Sequence, residues 1–426
     1  MNVRAYQRFY SVLLGTCLWF CAVFASASEG IFVPIPQDFE KVEMTLLTVD
    51  IGPDVYMRFG HTAIRVIDHV AKTDVTYNWG MFDFNEPNFA WRFYQGILMY
   101  RMGASSYGSF IRLYRDYEKR TVWEDQINLT TAQKRTLLER IRWQGQPENI
   151  RYPYHYFHNN CSTLPRDYFD EALGGRLKPR LVSVSTGLPY RHYVRSNLRE
   201  NPGIELSLDI LMNSNNERIM TVSDEMFLPG KLREYLLDIP AMDDAGQELP
   251  IMFLTPRGVP VQHEQQPPRE LGDWFWFALI FGFPVVSAVG IRLLQGDTRL
   301  SDRFLGVALM IWGLFAGSFG LMMAVSWMLS DHMDLKHNAN LWILAPWDYA
   351  FLVPGWRLLR GGRPGWVSRW LRSLILVRVT SLVFIAIVAA VGFLKQDIGP
   401  ILLFAGSLVT ILMMDLWVRI AKTNAA

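Results

Sequence analysis

Beyond residue 270, five apolar stretches (274–294, 304–329, 341–358, 374–394 and 398–418) dominate the chain and limit what it can fold into. They approach or exceed the roughly 20 residues that cross a bilayer as a helix. Inside a bilayer no water satisfies the backbone, so segments of this kind must be helical there. Their flanks are asymmetric. Arg292, Arg299 and Arg303 flank the junction of the first two stretches, Arg357, Arg360, Arg363, Arg369 and Arg372 that of the third and fourth, and Arg419 and Lys422 follow the last. The alternate loops hold only Lys336 and Lys395. The positive-inside rule therefore predicts five spans, arginine-rich loops and carboxyl terminus in the cytoplasm, and residues 28 to 270 outside. Membrane topology accounts for the basic residues, and a formal net charge of +2 leaves no case for a nucleic-acid partner.

The amino-terminal end agrees with export. Arg4 and Arg8 precede an apolar run over 9–24, and Ala25-Ser26-Ala27 has the small-x-small form of a signal peptidase site. The organisation predicted is a signal peptide over 1–27, an extracytoplasmic domain over 28–262, a polar, proline-stiffened linker over 263–273 and a membrane domain over 274–426, beginning with the aromatic run Trp274-Phe275-Trp276-Phe277. The third stretch is short and contains Pro346, Asp348 and Pro354, so a broken or re-entrant helix is the alternative to a span. Asp348 is costly in such a place and is a functional candidate, whereas Arg378 is read as snorkelling from a helix end.

Cys17 and Cys21 lie within the export signal, which leaves Cys161 as the one cysteine of the mature chain. An exported protein without a disulfide partner for its cysteine fits a free reactive thiol. Cys161 stands in Asn159-Asn160-Cys161-Ser162-Thr163-Leu164-Pro165, which reads as a helix start with Asn160 able to cap and Pro165 tolerated in the first turn. The helix dipole is expected to lower the thiol's pKa. A nucleophilic thiol needs a base. His61 opens an alternating strand after Gly60, and 74–82 alternates as the next antiparallel strand, placing Asn78 where it can orient the His61 ring. His158, close to Cys161 in the chain, is the alternative base or a substrate contact, with 154–158 a possible strand feeding the helix. Arg112, Arg115, Arg120 and Arg140 read as solvated helix faces rather than phosphate ligands. In the 330–340 loop, His332, Asn338 and Asn340 are candidates to line a headgroup or amine pocket, with a solvated loop as the alternative. No cysteine pair or helical His-x-x-x-His supplies a metal site, and no cofactor is expected.

A strand histidine followed about 100 positions later by Asn-Cys at a helix start resembles the circularly permuted papain-like group that includes NlpC-type peptidases and lecithin retinol acyltransferases. More closely, Phe59-Gly60-His61-Thr62-Ala63-Ile64-Arg65, Tyr77-Asn78-Trp79-Gly80-Met81-Phe82-Asp83-Phe84, Gln126-Ile127-Asn128-Leu129-Thr130 and Asn160-Cys161-Ser162-Thr163 resemble the periplasmic domain of Lnb-type lipoprotein N-acyltransferases. Asn338-Ala339-Asn340-Leu341-Trp342-Ile343-Leu344-Ala345-Pro346 is similar to a stretch of that family's membrane region. Asn159 departs from the pattern, which implies an acidic residue before Asn-Cys. The resemblance implies an α+β permuted papain-like domain followed by a multi-span helical domain in the bacterial inner (cytoplasmic) membrane. It also implies acyl transfer through a Cys161 thioester, with His61 as base and Asn160 at the substrate, from a phospholipid donor to a lipoprotein's terminal cysteine. Two other classes compete: a membrane-tethered cysteine peptidase or amidase acting on cell-wall peptide, which needs one anchor at most, and a non-enzymatic binding or transport protein.

Overall fold

Alternating apolar residues that continue on both sides of a strand call for cover on both faces, and Leu46-Leu47 and Ala63-Ile64 do this at the centre of the amino-terminal half. The computed structural model describes residues 30–83, 87–97, 99–238, 240–242, 248–250, 252–255, 271–296, 298–362 and 365–406. The expected export signal, most of the linker and the last stretch after residue 406 lie outside the described residues. By internal packing the chain forms two units. The first comprises Met1–Phe84, Leu98–Val184 and Val222–His263, and the second Asn85–Ile97, Ser185–Thr221 and Glu264–Ala426. Segments 85–97 and 185–221, assigned from sequence to the outer domain, thus belong with the second unit. Their bonds explain why: within that unit Asn213 N–H donates to Asp334 O at 2.8 Å and Asn213 Nδ2 to Met333 O at 2.7 Å.

The first unit is built on an antiparallel meander. Strand β1 (Val42–Val49) pairs with β2 (His61–Asp68) from Val42↔Asp68 to Val49↔His61, and β2 pairs with β3 (Thr73–Met81) from Asp68↔Thr73 to Ala63↔Asn78. The expected β2–β3 turn closes because Asp68 Oδ1 accepts from Val70 N and Ala71 N and Lys72 adopts φ 51°. Strands β4 (Met99–Ser106), β5 (Val122–Ile127), β6 (Arg151–Pro153) and the Met252–Thr255 strand complete a seven-stranded sheet, in the order Met252–Thr255, β5, β1, β2, β3, β4, β6, antiparallel throughout. On one face Leu46, Ile64 and Tyr77 pack with Leu138 and Ile141 of helix Thr131–Gln144, Phe169 of helix Thr163–Ala172 and Leu232 of helix Pro229–Asp238. On the other, Leu47, Val49, Ala63 and Val122 meet Phe110 and Tyr114.

Arg65 lies on that second face and is buried, so its charge must be paired. It forms a fork with Asp74 (2.8 and 2.7 Å) and bonds Glu124 Oε1 at 2.6 Å, while its guanidinium lies 3.5 Å from the Tyr107 ring centre. Tyr107 OH in turn donates to Glu124 Oε2 at 2.8 Å. The segment carrying Tyr114 is thereby fastened to the sheet.

In the second unit, helices Arg299–Leu329 and Gly365–Ala390 are long and apolar enough to cross a membrane. Helix Leu271–Gln295 contains Pro284. The expected third span is not a continuous helix. It consists of the 3-10 turns Ala339–Trp342 and Pro346–Phe351 and the short helix Leu352–Leu359. Pro346 begins the second turn, and Asp348 Oδ2 accepts from Ala345 N at 2.9 Å, which favours a tight turn over helix continuation. Arg378, expected to snorkel, is buried instead: it pairs with the buried Asp348 carboxylate and donates to Trp342 O at 3.0 Å. A carboxylate removed from water requires such a partner.

The broken segment packs along a glycine stripe of helix Arg299–Leu329. A Cβ added at Gly320 would stand 2.6 Å from Ala345 Cα, whereas one added at Gly290 would meet nothing within 4 Å. Gly320→Ala is therefore expected to destabilise the protein by about 1–3 kcal/mol through overpacking, and Gly290→Ala to leave it unchanged or stabilise it by up to about 1 kcal/mol. Thermal unfolding of both variants in detergent measures the contrast.

Candidate active site

Asn160 sets the position of the lone thiol. Its Oδ1 accepts from Ser162 N at 2.8 Å and Thr163 N at 2.9 Å, satisfying the first free N–H groups of helix Thr163–Ala172. Its amide donates to Tyr156 O at 2.8 Å and Phe227 O at 2.9 Å, and its own N–H donates to Thr163 Oγ1 at 2.8 Å. The buried side chain thus has both acceptor sites and both donors engaged within the protein. The capping role expected of Asn160 is present. A substrate contact is a poor fit, because no part of this amide is left for a ligand.

Cys161 is free and only partly buried as a residue, while burial is the leading influence on its thiol. The Thr62 N–H and the cysteine's own N–H point at the sulfur, and the Tyr114, Tyr152 and Tyr154 phenols are near enough to interact with it electrostatically. Gly80, at φ +86° in β3, borders the same space: a Cβ there would lie 3.7 Å from Cys161 Cβ and 3.7 Å from Tyr154 Cε2. The backbone angle, rather than a lack of room, calls for glycine at this position.

His61 is the residue before Thr62 and stacks on Tyr114, with ring centres 5.4 Å apart and planes inclined by 24°. In the β2–β3 register Asn78 faces Ala63, and alternation puts His61 and Asn78 on the same face as diagonal neighbours. Asn78 is near enough to favour the charged imidazole, although neither His61 Nε2 nor Asn78 Oδ1 meets a hydrogen bond of ordinary geometry among the described residues.

The electrostatics overturn the expected low-pKa thiol. Burial pushes the Cys161 pKa up to about 11, outweighing the two N–H groups and the Arg120 charge, which lower it. The dipole effect is weak here because the helix-start N–H groups of 162 and 163 are directed at Asn160 Oδ1. Burial, assisted by the Arg120 charge, pushes His61 down to about 3, with Asn78 opposing. Between these values the pair rests as neutral thiol and neutral imidazole.

Arg120 was read from sequence as solvated, but it is buried. Its Nε donates to Asp50 O at 2.7 Å, its guanidinium pairs with Glu118 at 2.7 Å, and it lies 5.4 Å from the Tyr114 ring centre. Neither Arg120 nor Tyr114 was legible as a site residue. The stretch Arg112–Tyr117 is π-helical, so ordinary helical spacing misassigns its faces.

The remaining candidates lie elsewhere. His158 is exposed and stacks on His155 at 4.6 Å; the segment before Cys161 is a loop closed by a His155↔Asn159 bridge, not a strand feeding the helix. His332, Asn338 and Asn340 belong to the second unit and are buried rather than solvated. His332 Nε2 bonds Phe93 O at 2.7 Å, Asn338 Nδ2 donates to Ile210 O and Leu211 O at 2.8 Å, and Asn340 Nδ2 donates to Ile210 O at 2.9 Å. These contacts brace the 330–340 loop against backbone carbonyls, which is why a pocket-lining role does not suit them. Among the described residues no group of three or more His, Cys, Asp or Glu side chains is placed to hold a metal ion.

Residues 37–194 match the family model of the Lnb N-terminal periplasmic domain. The matched segment contains β1–β6, His61, Asn78 and Cys161. Neither the curated proteins nor the solved structures contain a match to the chain.

The neutral resting pair has a kinetic signature. Alkylation of Cys161 by iodoacetamide is expected to rise with pH through an inflection above 9, with no plateau near neutrality. Arg120→Gln is expected to move that inflection higher still, because the guanidinium is one of the groups that lower the thiol pKa. Rates measured against pH in detergent test both statements.

Proposed function

We propose that this chain is a membrane-bound thiol acyltransferase, carrying an acyl group from a phospholipid to an amine, that of the terminal cysteine of a lipoprotein. The observation that carries the reading is the lone thiol at a helix start, facing the Thr62 N–H, with Tyr114 and Arg120 as neighbours in common with His61. The Lnb periplasmic-domain match and the two span-capable helices support a lipoprotein-modifying membrane protein. The permuted papain-like architecture belongs to the same proposal, supported by a strand histidine and a helix-start thiol on one antiparallel sheet.

The neutral pair dictates the order of proton movements. As Cys161 Sγ attacks the ester carbonyl carbon, His61 takes the thiol proton, so no free thiolate accumulates. The N–H groups of Thr62 and Cys161, already directed at the sulfur, stabilise the oxyanion forming beside it. Collapse breaks the ester C–O bond, the imidazolium protonates the leaving alkoxide, and a lysophospholipid departs. A neutral amine then attacks the thioester, His61 accepts its proton, and the thiol is restored as the amide forms. In this scheme Asn78 Oδ1 accepts from His61 Nε2–H, fixing the tautomer that leaves the other ring nitrogen free as base.

The protein incubated with acyl-labelled phospholipid alone is expected to hold label on Cys161 in a hydroxylamine-sensitive bond, and a diacylated lipopeptide is expected to discharge it into an amide. Cys161→Ser should take up no label. His61→Ala should slow transfer by roughly 10²–10⁴-fold, the range for loss of a general base, and Asn78→Ala by less. Absence of label together with cleavage of a cell-wall peptide would replace this reading with the peptidase. The proposed setting is the inner (cytoplasmic) membrane, with the thiol domain in the periplasm and the carboxyl terminus in the cytoplasm. A reporter fused after Ala426 should be active only in its cytoplasm-dependent form.

A further inference from the structure

The connection between β3 and β4 does more than join two strands. It forms helix Phe89–Gln95, which belongs to the second unit and is bonded along one side to the end of helix Arg299–Leu329 and the residues after it. Tyr94 OH donates to Met322 O at 2.8 Å and accepts from Ser326 Oγ at 2.9 Å, and Ser330 Oγ donates to Tyr94 O at 2.7 Å. Asp331 N–H donates to Gln95 O at 2.8 Å, and His332 Nε2 bonds Phe93 O at 2.7 Å. Gly96, at φ +81°, allows this approach, since a Cβ there would lie 2.8 Å from His332 N. The segment is thus fixed in place, yet it leaves Trp91 47% and Phe93 47% exposed on the helix and Ile97 44% exposed just after its cap.

Large exposed apolar side chains clustered on a rigidly held segment call for an occupant. We propose that this occupant is the lipid headgroup interface, with Trp91, Phe93 and Ile97 seated in the boundary layer of the bilayer. Three observations favour lipid over a protein partner. First, the patch accompanies apolar exposure that continues along the span-capable helix at Leu314, Leu321, Trp327, Met328 and Leu329. Second, the 31 residues of that helix measure about 46 Å, more than the roughly 30 Å hydrocarbon core, so an end of it must lie at headgroup level. Tyr94 is bonded to its carboxyl-terminal turns, the end opposite Arg299 and Arg303. Third, Phe89-Ala90-Trp91-Arg92-Phe93-Tyr94-Gln95 combines aromatic rings with one arginine and no carboxylate, a composition suited to an interface with lipid headgroups.

The consequence lies in the chain path. The segment leaves the sheet directly after β3, which carries Asn78 and Gly80, and returns to it as β4. An interfacial anchor here is continuous in the chain with the strands on either side of it. The inference rests on the bilayer-crossing reading of helix Arg299–Leu329 and not on the acyl-transfer chemistry.

Nitroxide labels at Trp91→Cys, Phe93→Cys, Leu314→Cys and Tyr117→Cys, each in a Cys17→Ser, Cys21→Ser, Cys161→Ser background, would be examined in phosphatidylethanolamine–phosphatidylglycerol nanodiscs. Collision with oxygen is compared with collision with a water-soluble nickel chelate. The labels at 91 and 93 are expected to favour oxygen, at a depth between the label at 314, in the hydrocarbon core, and that at 117, in water. If 91 and 93 behave like 117 while 314 is in lipid, the anchor is refuted. Spin–spin broadening at 91 with exclusion of both reagents identifies a second copy as the occupant and also refutes it. An aqueous result at 314 removes the membrane reading itself and the anchor with it.

Discussion

Burying the guanidinium of Arg65 in a sheet face is the constraint on which the thiol unit depends. The charge can be tolerated there only if every side of it is paired, and the pairing draws on β3 through Asp74, β5 through Glu124 and the Tyr107 ring. Thr45 of β1 adds a bond to the same Glu124 oxygen at 3.2 Å. Four neighbouring strands and the segment after β4 are thus joined at one point. Tyr114, carried by that segment, reaches His61 and Arg120, so an interaction formed for electrostatic reasons in the sheet decides what lies over the imidazole.

The same enclosure changes the character of the thiol. A thiol exposed at a helix start would rest as thiolate, open to oxidation in an exported protein. Burial holds Cys161 as thiol, and burial beside the cationic Arg120 holds His61 as neutral imidazole. Arg120 favours the thiolate and disfavours the imidazolium, so its two effects on an ion pair oppose one another.

The second unit follows different physics. Glycines at 306 and 320 let the backbone of helix Arg299–Leu329 meet that of the segment around 344–359, and those at 313 and 317 leave room for the Leu352 side chain and the Tyr349 ring. The cost of burying Asp348 in that packing is offset by Arg378 and by the Ala345 N–H. Buried amides then brace the loops: Asn338 and Asn340 hold the carbonyls at 209–211, and Gln396 donates to Asn338 Oδ1 at 2.9 Å. Side chains that resemble ligand groups in a sequence are here the means of satisfying backbone atoms that irregular structure leaves without partners.

Period-two alternation was enough to place β2 at His61 and to pair it with the strand bearing Asn78, because a strand shifted by one residue would turn every apolar side chain to the wrong face. The helix start at Cys161 was equally legible, since an asparagine before a helix has a local partner in the N–H groups that follow. Length and apolarity identified the helices now seen at Arg299–Leu329 and Gly365–Ala390. Tertiary structure alone decided that Leu341–Leu358 breaks, that Arg378 turns inward to Asp348, that Arg120 and Tyr114 join the thiol pocket, and that Cys161 and His61 both rest neutral. Local pattern records which residues prefer burial and how the backbone runs. A pKa or an ion pair depends on groups distant in the chain, whose juxtaposition exists only once the sheet and its covering segments have packed.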